Sequence, residues 1–171
     1  SLLESKARGQ TRGISTIISS VRKPPPETIN PQIKSSNYLY AILALDEGRR
    51  AKAPEVILLN SRGFVAEGST SNVFIIKNQT LITPSLDSGI LEGITRRLVL
   101  HLGRQLGLRC QERFVRPGEL YAADELFFTG TVREITPVRR LHKTPIVCRS
   151  KIHYVPLLVK AFKTYVNQHL K

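Results

Sequence analysis

Lys34 lies in the stretch KSSNY, three residues ahead of Asn37 and four ahead of Tyr38, where a proline-rich segment gives way to a helical pattern. A primary amine is the side chain that condenses with a carbonyl group, and partial burial lowers its pKa enough to free the lone pair. Glu67, in VAEGSTSNVF, stands between an apolar strand and a corner of small residues. A carboxylate there can hold a proton on a ring nitrogen and turn an aromatic heterocycle into an electron sink. The stretch GITRR, Gly93 to Arg97, sets Gly93, Ile94 and Thr95 at the first turn of a helix. Free backbone N–H groups and the helix dipole favour a phosphate there, and the threonine hydroxyl adds a donor. The stretch TGT, Thr129 to Thr131, follows a hydrophobic strand, and its glycine and hydroxyls suit an anion-binding turn. Taken singly, each has an ordinary alternative: a surface lysine, a solvated turn glutamate, a plain helix start, a glycine turn. Together they are complementary parts of a site for a phosphorylated pyridine aldehyde, pyridoxal 5′-phosphate (PLP).

These residues need elements to hold them. Ile14–Ser20 is rich in β-branched residues and predicts a strand. Lys23–Pro31 carries four prolines and predicts an extended connector. Tyr38, Ile42, Leu45 and Arg49 recur at helical spacing, so a helix is expected over Lys34–Ala53, capped by Ser35, Ser36 or Asn37. Glu55–Leu59 predicts a buried strand. Phe64–Glu67, Asn72–Lys77 and Thr80–Thr83 predict three strands in an antiparallel meander. A second helix is expected over Ile94–Leu106, with Leu98, Leu102 and Leu106 on one face and Gly107 as its stop. A strand over Leu108–Phe114, a helical turn over Pro117–Tyr121 and strands over Glu125–Thr129 and Ile135–Leu141 follow. The last expected element is an amphipathic helix, Tyr154–Leu170. Strand clusters separated by helices, without regular βα alternation, give the α+β class.

At 171 residues, 41% of them hydrophobic, the chain is sized for one domain with an aliphatic core. Cys110 and Cys148 are far apart and in no metal-ligand spacing, so neither a disulfide framework nor a metal site is expected. No apolar run reaches the roughly 20 residues of a membrane span. Ser1–Gln10 is a polar lead-in without the apolar stretch of a signal peptide. The net charge of +13 admits a nucleic-acid partner, but the basic residues are scattered and no aromatics interleave with them, so that partner is not favoured. The absence of Met fits a processed chain, a fragment or a natural truncation.

The order and wording of four motifs, IKSSNYL, VAEGSTSNVFIIKN, LITPSLDSGILEGITRRLVLHL and ADELFFTGTVREITPV, resemble the class IV (fold-type IV) PLP-dependent aminotransferases over Gly13–Leu141. That family includes branched-chain and D-amino acid aminotransferases and aminodeoxychorismate lyases. The resemblance implies the large, cofactor-binding domain of that fold, with strand clusters forming a pseudo-barrel packed with helices. It implies that Lys34 makes the Schiff base and shuttles the substrate proton, that Tyr38 lies near the cofactor's phenolic oxygen, and that Glu67 pairs with the ring nitrogen. Ile94, Thr95 and Thr131 then bind the phosphate, and the Thr131–Val132 turn faces the substrate α-carboxylate. The family's smaller preceding domain, which gives an arginine to the phosphate and much of the substrate pocket, is expected to be absent from residues 1–171. After ITPVRRLH the chain also departs from the family pattern, reading KTPIVCRSKIHYVP without a glycine.

The expected activity is transamination between an amino acid, of branched-chain type from the wording NYL and REITPV, and a 2-oxo acid. Two alternatives stand beside it: an inactive, truncated domain repurposed as a basic structural or RNA-associated subunit, and a lyase using the same cofactor residues. A homodimer or a protein assembly partner is expected. Cytoplasm is the default compartment, and an organelle matrix also fits the basic charge.

Overall fold

The computed structural model of the protein describes residues 13–169, so the lead-in over Ser1–Gln10 and the last residue of the helix expected to Leu170 lie outside the described residues. Chain order is β1 (Ile14–Arg22), α1 (Leu39–Arg50), β2 (Glu55–Leu59), β3 (Val65–Gly68), β4 (Asn72–Lys77), β5 (Thr80–Pro84), α2 (Ile94–Gln105), β6 (Arg109–Arg113), α3 (Pro117–Ala122), β7 (Glu125–Gly130), β8 (Glu134–Leu141), β9 (Thr144–Pro145) and α4 (Tyr154–His169). The strands form one mixed sheet in the order β3-β2-β1-β8-β7-β4-β5-β6, with β9 paired to β8. The β1–β2, β1–β8 and β5–β6 pairs are parallel and the others antiparallel. The ends of this row meet. Val65 of β3 bridges to Val115, two residues past β6, its N–H donating to the Val115 carbonyl at 2.9 Å.

That near-closure gives the sheet an inside and an outside, and side-chain alternation sorts residues between them. Ile57, Leu59, Val73, Ile75, Leu126 and Phe128 share the inner cluster. Phe74, Ile76 and Phe127, one residue out of step, face α2 and α4. Val56 and Leu58 face α1 with Ala44. Burial on both faces explains why β2 and β4 read as continuous apolar runs rather than alternating ones. No helix among the described residues is long and apolar enough to cross a membrane.

Three features correct the sequence expectations or go beyond them. The helix drawn from Lys34 begins at Leu39. Its cap is Tyr38, without a side-chain bond, rather than Ser35, Ser36 or Asn37. The intervening residues close on themselves through tight turns, with Ser35 N–H on the Ile33 carbonyl and Tyr38 N–H on the Ser36 carbonyl. Second, α1 buries Ala41, Ala44 and Gly48 and turns Leu39, Ile42 and Leu43 outward. A Cβ on Gly48 would lie 2.6 Å from Val56 Cγ1 and 2.8 Å from the Ala53 carbonyl oxygen, so only the small-residue face allows this close approach to β2. Third, the meander does not form. β4 and β5 make a two-residue hairpin, with Asn78 and Gln79 both at positive φ. β3 instead pairs with β2, because the corner after Gly68 swings the chain across the barrel before β4 begins.

Candidate active site

One cavity of about 540 Å³ opens where the ends of β1, β3 and β7, the start of α2 and the loop before α1 come together. Lys34, Tyr38, Glu67, Ile94, Thr95, Thr131 and Val132, all the residues singled out from the sequence, line it.

At one side, Lys34 Nζ donates to Tyr38 Oη at 3.1 Å and sits over the phenol ring. The loop leaves Lys34 exposed, whereas its chemistry had pointed to partial burial. At the floor, Glu67 is 8% exposed at the end of β3, and its Oε1 forms an ion pair with Lys23, itself 6% exposed. Glu67 Oε2 accepts from Asn72 Nδ2 at 3.2 Å and from the Leu91 N–H at 3.0 Å. Burial pushes the Glu67 carboxyl above the ordinary carboxylate range, while Lys23, the Leu91 amide and Arg96 pull the other way.

The corner between β3 and β4 is fixed from beneath. Buried Glu55 accepts from Ser69 N–H at 2.9 Å and Ser71 Oγ at 3.1 Å, and the Gly68 N–H closes the turn onto the Ser71 carbonyl. A Cβ at Gly68 would fall 2.2 Å from Ser71 Oγ, so the corner requires glycine there.

At the far wall, Gly93 is the N-cap of α2 and makes no side-chain cap bond, which leaves the first-turn N–H groups directed at the cavity. Glycine at this position is demanded by space rather than by φ. A Cβ would meet Asn72 Oδ1 at 2.3 Å, the amide that also holds Glu67 and the Leu91 carbonyl. Behind the turn, buried Arg96 ties α2 to the Pro84 carbonyl at 2.9 Å and to Glu112 at 2.7 Å. Opposite, Thr129 Oγ1 is buried in the cavity wall without a hydrogen-bond partner among the described residues. Val132, 80% exposed, and Ile94, 74% exposed, stand at the mouth.

Among the described residues, Lys23, Lys34 and Arg133 line the cavity together with one acid, Glu67, and the positive end of α2 faces it. Lys34 and the positive end of α2 suit an anionic ligand. Lys23, Asn72 and Glu55 were not singled out from the sequence, whereas the Thr129 hydroxyl belongs to the TGT turn read there as anion-binding. Lys23 opens the proline-rich connector, and nothing local shows that its amine turns inward. Asn72 and Glu55 read as ordinary strand ends.

The family model for amino-transferase class IV matches residues 2–141. A putative branched-chain-amino-acid aminotransferase of Methanocaldococcus jannaschii is 45% identical over 126 residues, 74% of this chain and 44% of that protein. The branched-chain-amino-acid aminotransferase of Escherichia coli K12 is 39% identical over 134 residues, covering 78% and 43%. Among solved structures, the PLP form of branched-chain amino acid aminotransferase from Thermobaculum terrenum superposes with a TM-score of 0.87 at 35% identity, over 91% of this chain and 52% of that one. The chain spans about half the length of the relatives it matches.

Proposed function

The chain belongs to the amino-transferase class IV family, and from that premise we propose that it is the cofactor-bearing part of a PLP-dependent aminotransferase acting between an L-amino acid of branched-chain type and a 2-oxo acid. The observation that carries this reading is the convergence of Lys34, Glu67, the open start of α2 and the Thr131 turn on one cavity. The residues fit PLP. An uncapped helix start and an orphaned, buried Thr129 hydroxyl await an acceptor such as phosphate. Glu67 Oε1, with one lone pair on Lys23, has another for a ring N–H.

PLP supplies, when bound, a conjugated ring that takes up the electron pair left at the substrate Cα. Glu67 keeps a proton on the ring nitrogen, which makes that uptake favourable. Lys34 would hold PLP through its amine, and that amine, when free, would be the base and acid that carries the proton between substrate Cα and the cofactor. Tyr38, hydrogen-bonded by Lys34, steadies that amine and would be the residue near the cofactor's phenolic oxygen. The Ile94 and Thr95 amides and the Thr131 hydroxyl bind phosphate. The Thr131–Val132 amides orient the α-carboxylate. The relatives' names support the branched-chain preference. Ile33, at the cavity, and Leu39, Ile42 and Leu43, on the helix that follows, are exposed apolar side chains that a further part of such an enzyme or a second copy would cover.

Absorbance tests the reading. Added PLP is expected to give a visible band near the blue edge that borohydride abolishes and that the Lys34→Ala protein lacks. A protein that stays colourless, or a Lys34→Ala protein that keeps the band, refutes it.

A further inference from the structure

The loop that carries Lys34 is fastened to the rest of the molecule at few points. Lys23 anchors its start on Glu67. Pro26 packs against Gly89, where an added Cβ would come within 3.3 Å of Pro26 Cγ. From there to Tyr38 the backbone bonds are local: Thr28 to Pro25, Ile33 to Asn30, Ser35 to Ile33, Tyr38 to Ser36. Among the described residues, the remaining hydrogen-bonded link is Gln32, two residues before Lys34. Its Nε2 donates to the Ile90 carbonyl at 2.9 Å, and its Oε1 accepts the Glu92 N–H at 3.1 Å. One carboxamide thus engages both sides of Leu91, the residue whose own N–H holds Glu67. Gly93, the cap of α2, follows directly.

Resting on the PLP reading above, we propose that Gln32 is a positioning residue. Its carboxamide clamps the Lys34 loop to the segment entering α2, and so sets the lysine amine against a ring and phosphate held by Glu67 and the helix start. The geometry separates two functions. Glu67, Asn72, Leu91 and the α2 turn hold ring and phosphate without Gln32. Lys34 sits on a loop whose register against them depends on two hydrogen bonds from one side chain. The reaction sensitive to that register is covalent capture. The Lys34 nitrogen bonds to the aldehyde carbon as C=N, and the carbonyl oxygen leaves as water with two protons from the amine. A misplacement of about 1 Å is enough to slow such a step severely.

The test compares wild type, Gln32→Ala and Gln32→Met, the last keeping length and bulk while losing both bonds. Three quantities are read: affinity for pyridoxine 5′-phosphate, which has the ring and phosphate but an alcohol in place of the aldehyde; the rate and extent of borohydride-trapped PLP adduct by mass; and the thermal midpoint without ligand. Two ordinary hydrogen bonds correspond to about ten-fold in the equilibrium that holds the loop. Both variants should therefore capture PLP about ten-fold less well, with pyridoxine 5′-phosphate affinity within about two-fold of wild type and a midpoint lowered by at most about 6 °C. Equal losses for both ligands, or a midpoint lowered beyond that, overturn the clamp in favour of a general structural role. Variants that trap PLP like wild type overturn it alone. A wild type that traps nothing overturns the PLP reading, and the clamp with it.

Discussion

Replacing Lys23 with Met removes the cation from a buried ion pair and leaves Glu67 with two hydrogen bonds, from Asn72 and the Leu91 N–H. Breaking such a pair from one side costs about 3–5 kcal/mol if the stranded group stays charged. Glu67 has an escape, because it can take up a proton. From an ordinary value near 4.3, protonation at pH 7 costs at most about 3.7 kcal/mol (about 1.36 kcal/mol for each of about 2.7 pH units), and at pH 5.5 about 1.6 kcal/mol. Burial already raises this carboxyl in the folded wild type, and loss of Lys23 raises it further. The folded variant then binds a proton that the unfolded chain releases, so its deficit shrinks as pH falls and vanishes toward the unfolded value. Urea unfolding of wild type and Lys23→Met across pH 8 to 5.5 should show a deficit of about 2–4 kcal/mol at neutral pH, falling by up to about 1.4 kcal/mol per pH unit. The double variant Lys23→Met/Glu67→Gln should recover at least about half of the neutral-pH deficit, since no charge remains to strand. A deficit constant with pH, or a double variant no better than the single, would refute the assignment of Glu67 as the group that Lys23 keeps ionised.

Two further outcomes follow from packing. Gly93→Ala places a Cβ on Asn72 Oδ1 and forces that amide away from Glu67 and the Leu91 carbonyl. A loss of about 1–3 kcal/mol in urea unfolding is expected, together with weaker binding of pyridoxine 5′-phosphate in a direct titration; unchanged affinity would show that the helix start does not carry the phosphate. Phe127→Ala empties a fully buried position stacked on Phe74 at 5.1 Å. It should lower stability by about 3–5 kcal/mol in the same assay, and a cost below about 1 kcal/mol would contradict the packing of α2 and α4 on that face.

Much of the chain's local form is legible in its residues. The β-branched run of β1, the Asn78–Gln79 hairpin, the glycines bracketing α2 and the apolar runs of β2, β4 and β7 each announce an element, because backbone preference and side-chain period act over a few neighbours. Among the cavity's seven candidate residues, Lys34, Glu67, Thr95 and Thr131 were legible because their motifs, ordinary when taken singly, are chemically complementary, while Tyr38, Ile94 and Val132 came from the resemblance of the motifs to the family. What local rules could not settle was decided by distance in sequence. β3 looks like a partner for β4, yet pairs with β2, because closing the barrel onto Val115 fixes the register of the whole row. α1 has two stripes at helical spacing, and only the approach of Val56 and Ala53 to Gly48 chooses the small one for burial. Lys23 and Gln32 sit in a connector with no periodicity at all. Their roles come from Glu67, Ile90 and Glu92, which lie about forty to sixty residues away and reach them only when the sheet closes. The sequence by itself determined which side chains could do chemistry. Tertiary structure decided which charge faces which, because pairing a buried ion depends on neighbours in space rather than along the chain.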